Sequence, residues 1–365
     1  MSFRFLISFA ILFLQVHCVF AQIGEQKPAA IVKCATLQLP STPVTGVLAS
    51  DGDRIYAGTV NGTFSGFESR NLRILWRVEL GGEFVSGIAL TEAGAVTVTN
   101  SVGDGNAVDG STIRLFSKES GIPIWSTKLP YSERYFLGRI NGSIAAVNSR
   151  GEIMLIDRAK GQIQWQAGPF GKLSSRPSFS STSVVLATGD KNLTVVSAKT
   201  GGILSRQATE FVPTAVAFLK NEGIAAGDER GNVTLFGSQV ARSIWRFKSG
   251  AGVSSVSEVN GGILVTSLDN FVYLLSDYNG DVIWKRRLTG RVVEGGLTID
   301  DHFVVLMNGE NSAYVIDLLK GKVTDTIPAS DIDLINRLPV FVRNRTFVLS
   351  TLFSLDLYSL GDCTE

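Results

Sequence analysis

The chain has 365 residues, of which 38 are glycine, 44% are apolar and only 18% are charged, which excludes a disordered chain and favours an all-β protein with many tight turns. Lysine and arginine total 34 against 33 acidic residues, so no cationic excess exists to displace counterions from a nucleic acid.

In chain order the first element is a leader. Arg4 gives a positive start, residues 5–14 are apolar apart from Ser8, and Val19-Phe20-Ala21 places small residues at −3 and −1 of a cleavage site. Residues 1–21 therefore read as a secretory signal and 22–365 as the exported domain, periplasmic or extracellular. The apolar run falls short of the ~20 residues of a spanning helix, which argues against a membrane anchor. A lipoprotein reading with Cys18 acylated meets His17 where a small residue is wanted. Cleavage removes Arg4 and no acid, leaving 33 basic against 33 acidic residues. The Lys285-Arg286-Arg287 run reads as a solvated strand edge.

A lone β-rich segment, 31–39, precedes the repeats. Repetition then dominates. Gly121-Ile-Pro-Ile-Trp125, Gly161-Gln-Ile-Gln-Trp165, Ala241-Arg-Ser-Ile-Trp245 and Gly280-Asp-Val-Ile-Trp284 share one frame, Leu72-Arg-Ile-Leu-Trp76 has the same shape, and Gly201-Gly-Ile-Leu-Ser205 and Gly321-Lys-Val-Thr-Asp325 keep it without Trp. Steps between the final positions are 49, 40, 40, 40, 39 and 41. Within each period, short runs such as 54–59, 62–67 and 73–78 are separated by Asn-Gly, Gly-Asp or Gly-Asn turns, and no 10-residue stretch has helical periodicity. Four strands per 40 residues is a propeller blade. Small residues mark the innermost strand (87–90, 214–217, 254–257), apolar runs the second (183–187, 303–307), an apolar-Asp or apolar-Ser ending the third (154–157, 273–276, 314–317), and Trp76, Trp125, Trp165, Trp245 and Trp284 the outer strand, where a large ring fills the widening gap between blades.

Seven units end near Pro328. The C-terminus adds three strands, 338–342, 346–350 and 354–360, and lacks a fourth, which segment 31–39 supplies. The expected fold is a single all-β, eight-bladed propeller with four antiparallel strands per blade, its last blade closed by the N-terminal strand. Cys34 lies in that strand and Cys363 three residues beyond the last one, so the closure makes them neighbours and they read as a disulfide, two free thiols being the alternative.

The Gly-x-x-x-Trp phrase after an apolar-Asp strand resembles the pyrroloquinoline-quinone-type propeller superfamily over nearly all of residues 31–363, and in size and blade count its BamB-like branch, scaffolds of outer-membrane β-barrel assembly. The resemblance implies a non-catalytic role. It also implies that a loop before a Ser-x-Pro strand start docks the barrel-assembly subunit BamA. The matching segment is 170–177, with Phe170 and Lys172 as apolar and basic contacts. Of the family's acidic pair on the following blade only Glu210 is present, Ala208 occupying the other place.

Chemistry is sparse. The exported domain keeps one histidine, His302, read as a surface residue, and with two paired cysteines no His/Cys metal cluster or nucleophilic triad can be assembled. Residues 102–110, with Asp104 and Asp109, lack a full calcium-loop pattern and read as an inserted surface loop. All five tryptophans belong to the outer-strand position, leaving none to stack a quinone. No catalytic residue, metal or cofactor is expected. The sequons at Asn61, Asn141, Asn192, Asn232 and Asn344 read as turn chemistry. The function implied is a protein-binding scaffold in outer-membrane assembly; a quinoprotein-like enzyme and an extracellular peptide- or glycan-binding module are the alternatives.

Overall fold

A computed structural model describes residues 31–39, 44–102, 108–240, 242–292, 294–307, 312–327, 339–351 and 353–363. The expected leader, with Cys18, lies outside the described residues, as does Asp104. Eight four-stranded antiparallel sheets form the ring. Blades 1 to 7 occupy residues 44–79, 89–129, 135–167, 178–208, 213–248, 253–287 and 296–327. Blade 8 combines Val340–Phe341, Thr346–Ser350 and Ser354–Leu360 with the N-terminal strand Ile31–Gln38, which pairs antiparallel with Ser354–Leu360. The order within each blade puts inner-to-second and third-to-outer turns on one face. Second-to-third turns and the crossings between blades lie on the other, called here the crossing face.

Burial follows the strand's place. In blade 4 every residue of the second strand, Ser183–Thr188, is buried, whereas the outer strand Ile203–Ala208 is exposed except at Ser205. Blade 2 departs from expectation. Its inner strand is only Ala89–Leu90, and both ends of the insertion read as a loop are strand, Gly94–Val102 running against Val108–Ser117 with Val102 still paired to Val108, while 103–107 lie outside the described residues. Alternating β-branched and hydroxyl residues there keep both strands extended.

The turn ending the third strand joins one blade to the last. In blade 3, Asp157 Oδ1 accepts the backbone N–H groups of Ala159 and Lys160, and Gly161 N–H donates to Asp157 O at 2.8 Å. The carboxylate nucleates the turn, and the glycine sits at φ 71°, a left-handed conformation. The indole of the preceding blade lies against that glycine: a Cβ at Gly161 would stand 2.5 Å from Trp125 Cδ2. The indole Nε1–H donates to the carbonyl three residues before the glycine. The five such bonds are Trp76 to Lys118 (3.0 Å), Trp125 to Arg158 (2.9 Å), Trp165 to Ala198 (3.1 Å), Trp245 to Asp277 (3.0 Å) and Trp284 to Leu318 (2.6 Å).

Three joints lack the indole. Between blades 8 and 1, Ala35 holds the Trp position, and Leu72 replaces the glycine at φ 59°, 1% exposed, in a cluster that includes Ala35. Between blades 7 and 8, Asp325 holds it and accepts the Ile31 N–H that begins the closing strand. Between blades 4 and 5, Ser205 holds it. The ring is locked by the Cys34–Cys363 disulfide, across 329 residues, and by Lys33 Nζ, 3.4 Å from the buried Asp356 carboxylate.

In the chain-entropy picture, a bond closing a loop of several hundred residues contributes at most about 6 kcal/mol. With about 2 cal/mol/K of unfolding entropy per residue, Cys34→Ser with Cys363→Ser should lower Tm by roughly 5–8 °C. Calorimetry of the two proteins checks this. Gly161→Ala, forcing a Cβ into Trp125, should cost about 2–5 kcal/mol, whereas Trp125→Phe with its indole bond gone should cost about 1 kcal/mol from that bond plus any packing loss. Urea unfolding of both variants gives the comparison.

Candidate protein-docking site

Segment 168–177 carries the chain from the outer strand of blade 3 to the inner strand of blade 4 on the crossing face. It is stitched to both blades. Phe170 N–H donates to Gly151 O (3.2 Å), Gly171 N–H to Arg150 O (3.3 Å) and Leu173 N–H to Ser149 O (2.9 Å), while Lys172 O accepts from Gly189 N–H (2.9 Å). The approach to blade 3 requires a glycine: a Cβ at Gly151, φ 75°, would lie 2.6 Å from Gly171 O. Ser174 Oγ donates to Pro213 O at 2.6 Å, tying the segment to blade 5. These bonds tie the segment to blades 3, 4 and 5 at several points along its length.

Phe170 is half-buried against the core shared by blades 3 and 4, and Lys172 is exposed. Both line a concavity of about 560 Å³ together with Glu133, Arg150 and Arg206. Arg206 Nη2 lies 3.4 Å from Phe170 O and 3.5 Å from Asp190 Oδ2. The Thr188 hydroxyl, and behind it Asn192 and Arg206, hold the Asp190 carboxyl below its usual range. Arg150 stacks over the Tyr131 ring at 4.9 Å and stands 3.9 Å from Glu133. An apolar ring is thus set among three cationic side chains, of which Arg150 and Arg206 stand beside the carboxylates of Glu133 and Asp190. Glu210, exposed on the crossing from blade 4 to blade 5, is not part of this lining. Sequence reading missed Arg150 and Arg206, which come from a turn and an outer strand carrying no motif of their own.

At the axial mouth of the same face, Arg176 Nη2 and Glu294 Oε2 pair at 3.3 Å, linking the crossings that precede blades 4 and 7 beside a hollow of about 460 Å³. Among the described residues no group of three His, Cys, Asp or Glu side chains is placed to hold a metal ion, and no helix is long and apolar enough to cross a membrane.

His302 is half-buried rather than a surface residue, because its strand backs onto the blade 8 turn that carries Arg345. Its Nδ1 is buried without a hydrogen-bond partner among the described residues. Burial, reinforced by Arg345, pushes its imidazole below the ordinary value of 6.5. The unfolded chain therefore takes up the proton first, so stability is full above pH 6.5 and declines as pH falls from there towards the folded value. His302→Gln should narrow the stability difference between pH 5 and pH 8 measured by urea unfolding.

Three stretches of the chain, 26–134, 109–236 and 229–326, match the family model described as "Outer membrane protein assembly factor BamB". No curated protein matches. Among solved structures, BamB from Moraxella catarrhalis superposes with a TM-score of 0.64 at 14% identity, covering 90% of this chain and 97% of that one. The computationally designed Ika8 protein gives 0.71 at 14% identity, covering 90% and 99%, and the C-terminal WD40 domain of Sif2 gives 0.72 at 12%, covering 92% and 98%. At such identities these likenesses establish the propeller fold, while the family follows from the model that spans most of the repeats: the chain belongs to the outer membrane protein assembly factor BamB family.

Proposed function

We propose that this chain is an exported, non-catalytic propeller scaffold, residues 1–21 being its leader and 22–365 the propeller, and that it binds a protein partner in outer-membrane β-barrel assembly. Family membership supports a scaffold role. The disulfide fits a compartment outside the cytoplasm. The observation that carries the reading is the rigid concavity that holds Phe170 among Arg150, Lys172 and Arg206. Propeller strands are committed to blade packing, so a partner must be met by crossings and turns. An apolar anchor inside a charged rim is the arrangement of a small hot spot. Exposed Lys172 offers a basic contact beside the ring, with exposed Glu210 at the next crossing offering one of opposite sign.

Phe170→Ala combined with Lys172→Glu should abolish co-purification of the barrel-assembly subunit from envelope extract and move Tm by less than about 3 °C, since a half-buried ring is lost at the surface. Unchanged recovery of the subunit by the folded double variant would overturn the site.

A further inference from the structure

The joint between blades 4 and 5 is built differently from the five that hold an indole. Ser205 stands where the outer strand elsewhere carries Trp, paired in the ladder with Val195 as Trp165 is with Leu155. Its Oγ is buried and has no hydrogen-bond partner among the described residues. The space is taken from the other side. A short 3-10 turn, Ser238–Val240, swings Val240 into the joint, where it is 1% exposed and packs in a cluster with Val195, Val185 and Phe236. To do so the chain puts two successive non-glycine residues in the left-handed region, Gln239 at φ 60° and Val240 at φ 49°. That conformation is disfavoured for any L-residue and most of all for a β-branched one. The plug is held under strain.

Beside it, on the face opposite the crossings, lies a groove of about 860 Å³ that runs across blades 3 to 5. Trp165, Leu204 and Phe218 give it apolar walls, and Lys199 and Glu222 bring opposite charges to the turns of blades 4 and 5 along it. Leu204, directly before Ser205, is 43% exposed there. Gln239 also lines the groove, so the strained turn forms part of its wall.

From the Trp position held by Ser205, a Ser205 hydroxyl without a partner among the described residues and the strained Val240 plug, we infer that the blade 4–5 joint is a docking slot for a tryptophan side chain of an extended partner peptide lying in the adjacent groove, the indole entering as Val240 leaves. The occupant is identified by the ring itself. At five joints the same slot takes an indole, whose N–H reaches the carbonyl three residues before the position that faces it. At this joint the carbonyl at that place in the repeat belongs to Ser238, within the plug turn, and the repeat's glycine position is Ala241 in the sequence. Displacing Val240 releases its left-handed strain and opens the space an indole fills elsewhere. Lys199 and Glu222 suit a peptide carrying one acidic and one basic residue flanking the Trp. This site is independent of the Phe170 concavity and lies on the other face.

The test uses a fluorescein-labelled peptide copying residues 280–285, Gly-Asp-Val-Ile-Trp-Lys, with fluorescence anisotropy as the readout. The wild-type protein should bind it saturably, and an alanine in place of its Trp should weaken binding at least tenfold. Ser205→Trp combined with Ala241→Gly restores the Trp and Gly of the repeat frame; it should weaken peptide binding at least tenfold. Val240→Gly empties the slot without adding a competitor and should tighten binding several-fold. Absence of saturable binding to wild type, equal affinity for the alanine peptide, or affinity unchanged in Val240→Gly would overturn the slot.

Discussion

A buried indole must place its N–H on an acceptor, and in this ring the acceptor always belongs to the next blade. That requirement reaches back into the sequence. The acceptor carbonyl is presented by a turn whose form depends on an Asp or Ser closing the third strand, as Asp157 and Asp317 do with their side-chain oxygens. The turn then brings its fourth residue under the six-membered ring of the indole, at a distance where a Cβ cannot fit, so that residue is glycine. Trp, Asp or Ser, and Gly are thus one device spread over two blades, and the near-40-residue period is the spacing between its copies. Each copy fixes the orientation of one blade against the next, since the bond and the stacking act in different directions.

A closed ring must also be joined where the chain cannot do it by continuity. There the device is replaced rather than repeated. The blade 8 outer strand comes from the N-terminus and presents Ala35, so the facing residue of blade 1 can be large, and Leu72 fills the gap from the other side despite its positive φ. Asp325 exchanges the indole for a carboxylate that receives the first N–H of the closing strand. The disulfide then fastens the N-terminal strand to the chain end beside it, so the pairing that covers Ser354–Leu360 cannot peel away.

The parts of this arrangement that repeat were legible in the sequence: the Trp frame, the four runs per period, the orphan strand at one end and the three strands at the other, and the two cysteines that closure brings together. What did not repeat was not legible. Leu72 opens a phrase of the same shape without the glycine, and only its partner Ala35, 37 positions earlier in the chain, explains it. The insertion in blade 2 reads as a loop because residues 103–107 are small or polar in sequence, yet the strands on either side run on to Val102 and from Val108. Phe170 and Lys172 were found through family resemblance, and they do share one concavity. Glu210 came by the same route and lies outside it, because position along a repeat gives the crossing a residue occupies but not the direction it faces. Arg206 carries no signal at all: an exposed arginine on an outer strand is ordinary until the crossing before it brings a carbonyl within reach.

Blade 4 gathers these departures. It receives the crossing that holds Phe170, its outer strand contributes Arg206 to the cationic rim, and the adjacent residue, Ser205, is where the indole is missing. Ile203 and Leu204 of that strand are 50% and 43% exposed. Joints built alike give a ring no reason to be approached at one blade rather than another, because alternation along the outer strands repeats the same surface around the circumference. Asymmetry in such a fold has to come from positions where the joint device is absent, and two of the three absences serve closure of the ring. The third serves no closure. Giving up an indole at Ser205 sacrifices a bond and a stacking contact that five other joints retain, and it leaves a buried hydroxyl without a partner among the described residues, beside a strained turn. A joint of that form, one residue along the outer strand from the Arg206 that rims the Phe170 concavity on the opposite face, is the one departure that neither ring closure nor blade packing accounts for.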